Sequence, residues 1–202
     1  YRTIKNHKPL TISMAEELVA SDIRVAETLP SRFYYDAAIF ENLLSVFTGW
    51  QYAAHDSELM ANPVIPLHHI EAITGEPTII VRGEKTRCLS NICTHRGMRL
   101  TSQPCTKSTL RCEYHGRTFN LEGKMKHMPE FEQAIGFPSD SDNLHEFAIH
   151  CWKGLNFISQ EDKPHLPWSE LNDRFEFLDI DSYIHDMGRD RDHSINANWM
   201  LY

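Results

Sequence analysis

Two cysteine–histidine pairs are the residues of this sequence whose types and spacing could bind a metal. Cys93 and His95 form a C-x-H pair, and Cys112 and His115 form a C-x-x-H pair. Thiolates are soft ligands and imidazoles are borderline ones, so a mixed set of this kind suits zinc or iron–sulfur chemistry. These four residues are therefore the candidate metal ligands of the chain.

The spacing within the pairs distinguishes between these two kinds of site. Structural zinc sites space their ligands roughly as C-x(2–4)-C and H-x(3–5)-H, without the one-residue gap that separates Cys93 from His95. In a Rieske [2Fe–2S] centre, two cysteines hold one iron and two histidines hold the other. Each of two loops must then supply one cysteine and one histidine, which is the pattern found here. The sequence favours the [2Fe–2S] cluster and leaves zinc as the alternative.

A glycine follows each pair. Gly97 lies two residues after His95, and Gly116 directly follows His115. Glycine adopts backbone conformations that other residues avoid, so it lets a loop turn tightly and bring backbone N–H groups near the cysteine sulfurs. We predict that Gly97 and Gly116 support the two loops.

The composition restricts the class of protein to which these pairs belong. The chain has 202 residues, 41% of them hydrophobic and 24% charged, which is typical of a globular protein. Its net charge of −8 argues against a nucleic-acid partner. No apolar run approaches about 18 residues, so no membrane span is predicted. Five cysteines, an odd number, argue against a disulfide scaffold and favour a reducing, cytoplasmic setting.

The elements that must position the two loops are mostly strands. Two strands are predicted in "PTIIVRGEKTRCLSNI", joined at residues 82–84, and others in "STLRCEY", "RTFNLEGKMK" and "HEFAIHCWKGLNFIS". Turns are predicted at Gly123 and Gly154. The predicted fold class is therefore mainly β, with an antiparallel domain over residues 50–162.

The flanking segments differ from this domain. "SMAEELVASDI", from Ser13, carries a capping-box signature, and "DAAIFENLLSVFTG" predicts a helix between Asp36 and Gly49, so residues 1–49 are interpreted as a helical segment. "EDKPHLPWSE" is interpreted as a linker and "FEFLDIDSYI" as a strand, and an amphipathic element begins at "NANWMLY". Residues 163–202 are interpreted as a linker and the start of a further domain.

The motifs carry a family resemblance. "CTHRG" and "CEYHG" resemble the cluster-binding loops of Rieske proteins. In the cytochrome bc type, each loop carries one further cysteine and the two form a disulfide, but Met98 and Tyr114 occupy those positions here. The stretches "LPSRFYYDAAIFENLLSVFTGWQYAAHDSEL", "HEFAIHCWKGLNFISQ" and "NANWMLY" resemble the N-terminal, Rieske-domain portion of Rieske non-haem iron oxygenase large subunits, although Met200 replaces the usual lysine.

This resemblance implies a function. A [2Fe–2S] cluster on the four ligands would receive electrons from an NAD(P)H-dependent reductase or a ferredoxin. The electrons would pass through His95 and His115 to a mononuclear Fe(II) that activates O2 and hydroxylates an organic substrate as a mono- or dioxygenase. The family carries that Fe(II) in an α+β catalytic domain, expected to start where this chain ends, so no catalytic residue is expected among residues 1–202. The family also implies a homo-oligomer, often a trimer, in which His115 reaches a carboxylate of the adjacent subunit.

Two other functions remain open at this point. A stand-alone Rieske-type electron carrier or assembly protein would use the same cluster without a catalytic domain. A zinc-stabilised binding module would use the same ligands without redox chemistry. A natural protein that continues with two histidines and a carboxylate would exclude the carrier, and a red-brown colour would exclude zinc.

A third set of metal-binding residue types occurs in "DNLHEFAIH". Asp142, His145 and His150 have a spacing that mimics the mononuclear-iron motif of the family. In a strand, residues five apart point to opposite faces, so the two histidines would diverge. We predict a strand here and no metal ligand.

The remaining cysteines and a histidine pair have structural interpretations. Cys88 and Cys151 are predicted to lie in the core, and Cys105 to be a thiol near the cluster but not a ligand. His68 and His69 are predicted to face solvent at the start of a strand.

Two positions after the second pair bear on the reduction potential of the cluster. High-potential respiratory Rieske proteins have hydroxyl side chains where this chain has Arg117 and Phe119. Hydrogen bonds to the sulfurs raise the potential, so their absence predicts a value near the low end of the range, about −150 to −50 mV. The charge of Arg117 would oppose this effect, but its side chain is expected to reach solvent, where screening weakens it.

Overall fold

The structure of the protein is a computed structural model that describes residues 20–201. The helix predicted from Ser13 lies mostly outside these described residues. The chain divides into two compact units. One contains the residues up to Val46 together with those from Arg189 onward, and the other is Phe47–Gly188.

Among the residues that the structure describes, the first unit contains two short α-helices. They are α1 and α2: Arg32–Tyr35 and Ala37–Leu43. The Asp36 carboxylate accepts hydrogen bonds from the backbone N–H groups of Ala38 and Ile39, at 2.8 and 3.2 Å, and so caps α2. After α2 the chain continues as a 3₁₀ helix, Leu44–Thr48. This helix ends directly before Gly49. The predicted helix between Asp36 and Gly49 is therefore confirmed, with its last turns in the tighter 3₁₀ form.

The second unit is built mostly from strands. Within the described residues these are β1 to β9, in order Gln51–His55, Val64–Pro66, Thr78–Arg82, Thr86–Ser90, Thr109–Arg111, Thr118–Asn120, Met125–His127, Glu146–Trp152 and Leu155–Ser159. The helices of this unit are α3 to α5, in order Asp56–Ala61, His68–Thr74 and Trp168–Phe175.

The strands form two antiparallel sheets. The larger sheet has the order β1-β9-β8-β4-β3-β2, and the smaller has the order β5-β6-β7. The mainly β, antiparallel fold class is therefore confirmed, and so is the pairing of β3 with β4 across residues 83–85. Lys153 and Gly154 both have positive φ, 51° and 79°, as the tight turn between β8 and β9 requires.

The candidate cysteines lie in the core between the sheets. Cys93 and Cys112 belong to one buried cluster with Leu89, Leu110 and Phe119. Phe119 has no exposed surface, and burying an aromatic side chain of this kind contributes roughly 1.5–3 kcal/mol. The ends of β4 and β5 are therefore fixed by packing, and these two strands lead into the two predicted ligand loops.

Two predictions of local structure are wrong. His68 and His69 begin α4 rather than a strand, although both are exposed as predicted. "FEFLDIDSYI" pairs with no strand among the described residues, and it contains the end of α5 and a 3₁₀ turn over Ile180–Ser182. An alternating apolar pattern forms a strand only where the edge of a sheet is available to pair with it. This segment is not packed as a strand, and Phe177 is 79% exposed.

The prediction for Cys151 is also wrong, because its side chain is exposed rather than in the core. Successive residues of a strand point to opposite faces, and the neighbouring Trp152 is the residue of β8 that is buried. Cys88 is fully buried, as predicted. In residues 20–201, no helix is long and apolar enough to cross a membrane.

Candidate metal centre

The two predicted ligand loops have the same backbone hydrogen-bonding pattern. We define loop 1 as residues 93–98, after β4, and loop 2 as residues 112–117, between β5 and β6. In each loop the cysteine N–H donates to the carbonyl five residues later, and the glycine N–H donates back to the cysteine carbonyl. These bonds are Cys93 N to Met98 O (2.8 Å), Gly97 N to Cys93 O (3.0 Å), Cys112 N to Arg117 O (2.8 Å) and Gly116 N to Cys112 O (3.0 Å). The loops are thus two copies of one turn.

The glycine closes the turn in both loops. Gly97 has φ of 71° and Gly116 has φ of 77°, in the left-handed region that side chains disfavour. A Cβ atom on Gly116 would lie 3.2 Å from Cγ of Pro129 and 3.4 Å from a guanidinium nitrogen of Arg111. Loop 2 therefore requires glycine for its backbone conformation and for the space around it.

The four predicted ligands come together in space as two pairs. Cys93 and Cys112 are only 2% and 3% exposed. The ring centroids of His95 and His115 are 4.9 Å apart, with the planes at 67°. His95 is half-buried and His115 is exposed, so the cysteine pair lies inside and the histidine pair lies at the surface.

The electrostatic environment differs between the inner and outer pairs. Burial raises the pKa of the Cys93 thiol and the neighbouring Cys112 raises it further, while a hydrogen bond from the backbone N–H of His95 acts in the opposite direction. Loss of solvent is the main cause that lowers the pKa of His95, and the positive charges of His115, Arg117 and Arg96 add to it. Both shifts favour the uncharged forms of these side chains, and binding of a metal at Cys93 would require its thiol to lose a proton.

This donor set fits a [2Fe–2S] cluster. One iron of a Rieske cluster takes two cysteines and the other takes two histidines, which matches an inner thiol pair and an outer imidazole pair. In residues 20–201, no three His, Cys, Asp or Glu side chains are grouped so that they could hold one metal ion. The five cysteines are all free thiols, so no disulfide competes for Cys93 or Cys112.

Asn91 holds the base of loop 1, a role that the sequence reasoning missed. Its side chain is fully buried, donates to the carbonyl of Thr101 at 2.7 Å and accepts the Thr101 N–H at 3.1 Å. The available signal was a polar residue, Asn91, at the end of an apolar strand and two positions before Cys93. Arg99 also fixes this region, because it forms a two-bond ion pair with Glu71 of α4.

Arg117 is the residue for which the sequence prediction fails most clearly. Its side chain does not reach solvent, because it is 4% exposed. One guanidinium nitrogen donates to Oγ1 of Thr94 at 2.7 Å and to Oδ1 of Asp142 at 3.2 Å, and the group lies over the ring of Phe137 at 5.4 Å. Polar partners and an aromatic face offset part of the cost of burying the charge, and because the side chain is shielded from water, screening by solvent does not apply.

The three metal-binding residue types of the segment that mimics an iron motif contact different neighbours. His150 lies in β8, as predicted, and stacks on Trp168 with ring centroids 4.0 Å apart. His145 precedes β8 and contacts Phe147, while Asp142 pairs with Arg117. The three side chains therefore have separate neighbours.

Cys105 is anchored by its backbone and packs against the core cluster that contains Cys93 and Cys112. It is half-buried against the core, and its N–H and carbonyl pair with those of Val64 at 2.9 and 3.1 Å. The spacer between the loops is thus attached to the edge strand β2.

Comparison with known proteins agrees with this geometry. A sequence profile of the Rieske [2Fe–2S] domain matches residues 49–152. The chain belongs to this family. The Rieske domain carries a [2Fe–2S] cluster, and relatives of this chain are the oxygenase subunits of Rieske mono- and dioxygenases.

Individual relatives show how far the similarity extends. The chain is 34% identical over 142 residues to the carnitine monooxygenase oxygenase subunit of Escherichia coli (strain K12), an alignment that covers 67% of this chain and 37% of that protein. A quaternary ammonium Rieske monooxygenase, solved in a study of carnitine oxidation and inter-subunit electron transfer, matches with a TM-score of 0.63 and 27% identity over 73% of this chain and 43% of that one.

The similarity also extends to a dioxygenase. Naphthalene 1,2-dioxygenase from Rhodococcus sp. matches with a TM-score of 0.65 and 26% identity over 75% of this chain and 36% of that one. In each case this Rieske chain spans less than half the length of its relative.

Proposed function

We propose that Cys93 and Cys112 hold the inner iron of a [2Fe–2S] cluster, and that His95 and His115 hold the outer iron. The observation that carries this proposal is the pair of matching loops, each with a buried cysteine and a histidine nearer the surface. When bound, the cluster accepts and donates one electron at a time. The buried thiols shield its inner side from solvent, and the imidazoles form the route between the cluster and the surface.

We infer further that this chain is the electron-entry part of a Rieske oxygenase. Electrons come from an NAD(P)H-dependent reductase or a ferredoxin and leave toward a mononuclear Fe(II), which activates O2 for hydroxylation. The similarity to oxygenase subunits of monooxygenases and dioxygenases supports this role. We propose residues 50–162 as the cluster domain, with residues 163–202 leading into the catalytic domain.

His115 is the ligand through which we propose that electrons leave. It is the more exposed of the two histidines and lies against Tyr114, with ring centroids 3.8 Å apart. An exposed imidazole can offer its second ring N–H to a partner group, which orients the ring. In a homo-oligomer, a carboxylate of the adjacent subunit would be that group, and the study of inter-subunit electron transfer in a relative supports such an arrangement.

The experiment is substitution of His115 in the cluster-loaded protein. Wild type should be red-brown with about two irons and two acid-labile sulfides per chain. His115→Cys should retain a cluster with an altered visible and EPR spectrum, and His115→Ala should lose it. His145→Ala, which changes an exposed histidine outside the loops, is the control and should match wild type. A wild-type spectrum in His115→Ala would overturn the assignment.

A further inference from the structure

The side chain of Arg117 joins the two ligand loops from inside the protein. Its backbone carbonyl accepts the N–H of Cys112 in loop 2, and its guanidinium donates to Thr94, which lies between the two ligands of loop 1. Thr94 in turn donates from Oγ1 to the carbonyl of Asp142 at 2.7 Å. Loop 1, loop 2 and the segment before β8 therefore share one polar network.

The ion pair in this network is unevenly solvated. The side chain of Arg117 is 4% exposed, whereas that of Asp142 is 19% exposed. Asp142 also accepts two hydrogen bonds from Ser139, through its backbone N–H and its hydroxyl, both at 2.9 Å. The negative charge is thus shared with other donors and partly with solvent, so it offsets the buried positive charge only in part.

One polar atom of Arg117 has no partner in the protein. Its Nε is buried, and no atom of residues 20–201 accepts a hydrogen bond from it. An unsatisfied buried donor destabilises the folded protein and is rare in native proteins. The N–H lies on a residue bonded to both ligand loops, where a cluster would supply sulfur acceptors and negative charge.

We propose that the Arg117–Asp142 pair sets the reduction potential of the cluster, with Arg117 raising it and Asp142 lowering it. Reduction adds one electron, and therefore one negative charge, to the cluster. A buried positive charge stabilises the product of that step, and a nearby negative charge destabilises it. The inference rests on the cluster assignment proposed above.

The test is the midpoint potential of cluster-loaded variants, measured by protein-film voltammetry. Arg117→Gln should lower the ratio of reduced to oxidised cluster at fixed potential at least threefold, and Asp142→Asn should raise it at least threefold. For a one-electron couple, threefold corresponds to about 28 mV. Arg117→Lys keeps the positive charge, so its midpoint potential should be closer to that of wild type than the potential of Arg117→Gln is.

A matched control comes from another arginine–carboxylate pair of the same unit. Arg87 and Glu146 are 2.6 Å apart on β4 and β8, with side chains 27% and 45% exposed. Glu146→Gln removes the same charge as Asp142→Asn but from a solvated pair, and it should leave the potential unchanged. A structural defect shared by the Arg117 and Asp142 variants would move both potentials in one direction, whereas the proposed charge effect moves them in opposite directions.

The outcomes separate this inference from the cluster assignment. A wild-type protein without iron and sulfide would refute the assignment and the inference together. Loaded variants whose potentials move in the same direction, or no further than that of Glu146→Gln, would refute the inference alone. If Arg117→Gln fails to retain a cluster, Asp142→Asn decides the question: a midpoint potential that falls, or that rises no further than that of Glu146→Gln, would refute the inference.

Discussion

Replacing Gly116 with alanine tests whether the turn of loop 2 is what retains the cluster. Gly116 has φ of 77°, and a non-glycine residue in the left-handed region costs roughly 1–2 kcal/mol. The new Cβ would also lie 3.2 Å from Cγ of Pro129, so the proline ring must shift by a few tenths of an ångström. Overpacking of this kind costs roughly 1–3 kcal/mol. We expect Gly116→Ala to lower the free energy of unfolding by about 2–5 kcal/mol.

Gly75 provides a matched control for this substitution. It has nearly the same backbone conformation, φ of 74°, at the end of α4, and no atom lies within 4 Å of its would-be Cβ. Gly75→Ala should therefore lower the free energy of unfolding only through the strained backbone conformation, by about 1–2 kcal/mol. Alanine restricts the unfolded chain equally in both variants, so that effect cancels in the difference between them.

Two measurements make the comparison. Chemical denaturation followed by circular dichroism gives the free energy of unfolding, and the decay of visible absorbance gives the rate of cluster loss. Gly116→Ala should be the less stable variant and should also lose its cluster faster at a denaturant concentration where both remain folded. Equal stability and equal cluster lifetimes in the two variants would refute the argument that crowding around loop 2 matters.

Two further predictions concern residues near the loops. The hydrogen bond from Arg99 lowers the pKa of Glu71, so this carboxylate stabilises the fold above its ordinary pKa, and that contribution is lost as the pH falls through the lowered value. Thermal unfolding of Glu71→Gln between neutral and acidic pH should accordingly depend less on pH than that of wild type, and an unchanged dependence would contradict this. Cys105→Ser should keep the full iron and sulfide content and the wild-type EPR spectrum, because Cys105 lies outside the two ligand loops and serine leaves its backbone pairing with Val64 intact. Loss of iron in a variant whose circular dichroism matches that of wild type would make Cys105 a ligand.

The features that sequence could predict are those set by local chemistry. The ligand types and their spacing depend on a few adjacent residues in each loop, and the turn at Gly154 depends on which residues tolerate a positive φ. The antiparallel strands could also be predicted, because the strand-forming residues and the turns between them lie close together in the sequence.

The features that sequence could not predict depend on distant partners. Arg117 looks like a surface residue until Thr94 and Asp142, 23 and 25 positions away, provide its buried partners. The alternating pattern of "FEFLDIDSYI" suits a strand, but the segment pairs with no strand among the described residues. It forms the end of a helix and a 3₁₀ turn instead. Cys151 was assigned to the wrong face because the sequence does not say which of two neighbours, it or Trp152, points inward.

The repeated turn has a consequence for how this kind of site could be rewritten. The backbone hydrogen bonds that the two loops share involve their first, fifth and sixth residues, so these bonds do not fix which of the intervening positions carries the histidine. The histidine occupies the third position in loop 1 and the fourth in loop 2, and that choice sets how deeply each imidazole sits. A loop of this kind offers two positions for the histidine ligand. Exchanging His95 with Arg96 would move the imidazole from the third position to the fourth while the shared backbone hydrogen bonds of the loop stayed the same.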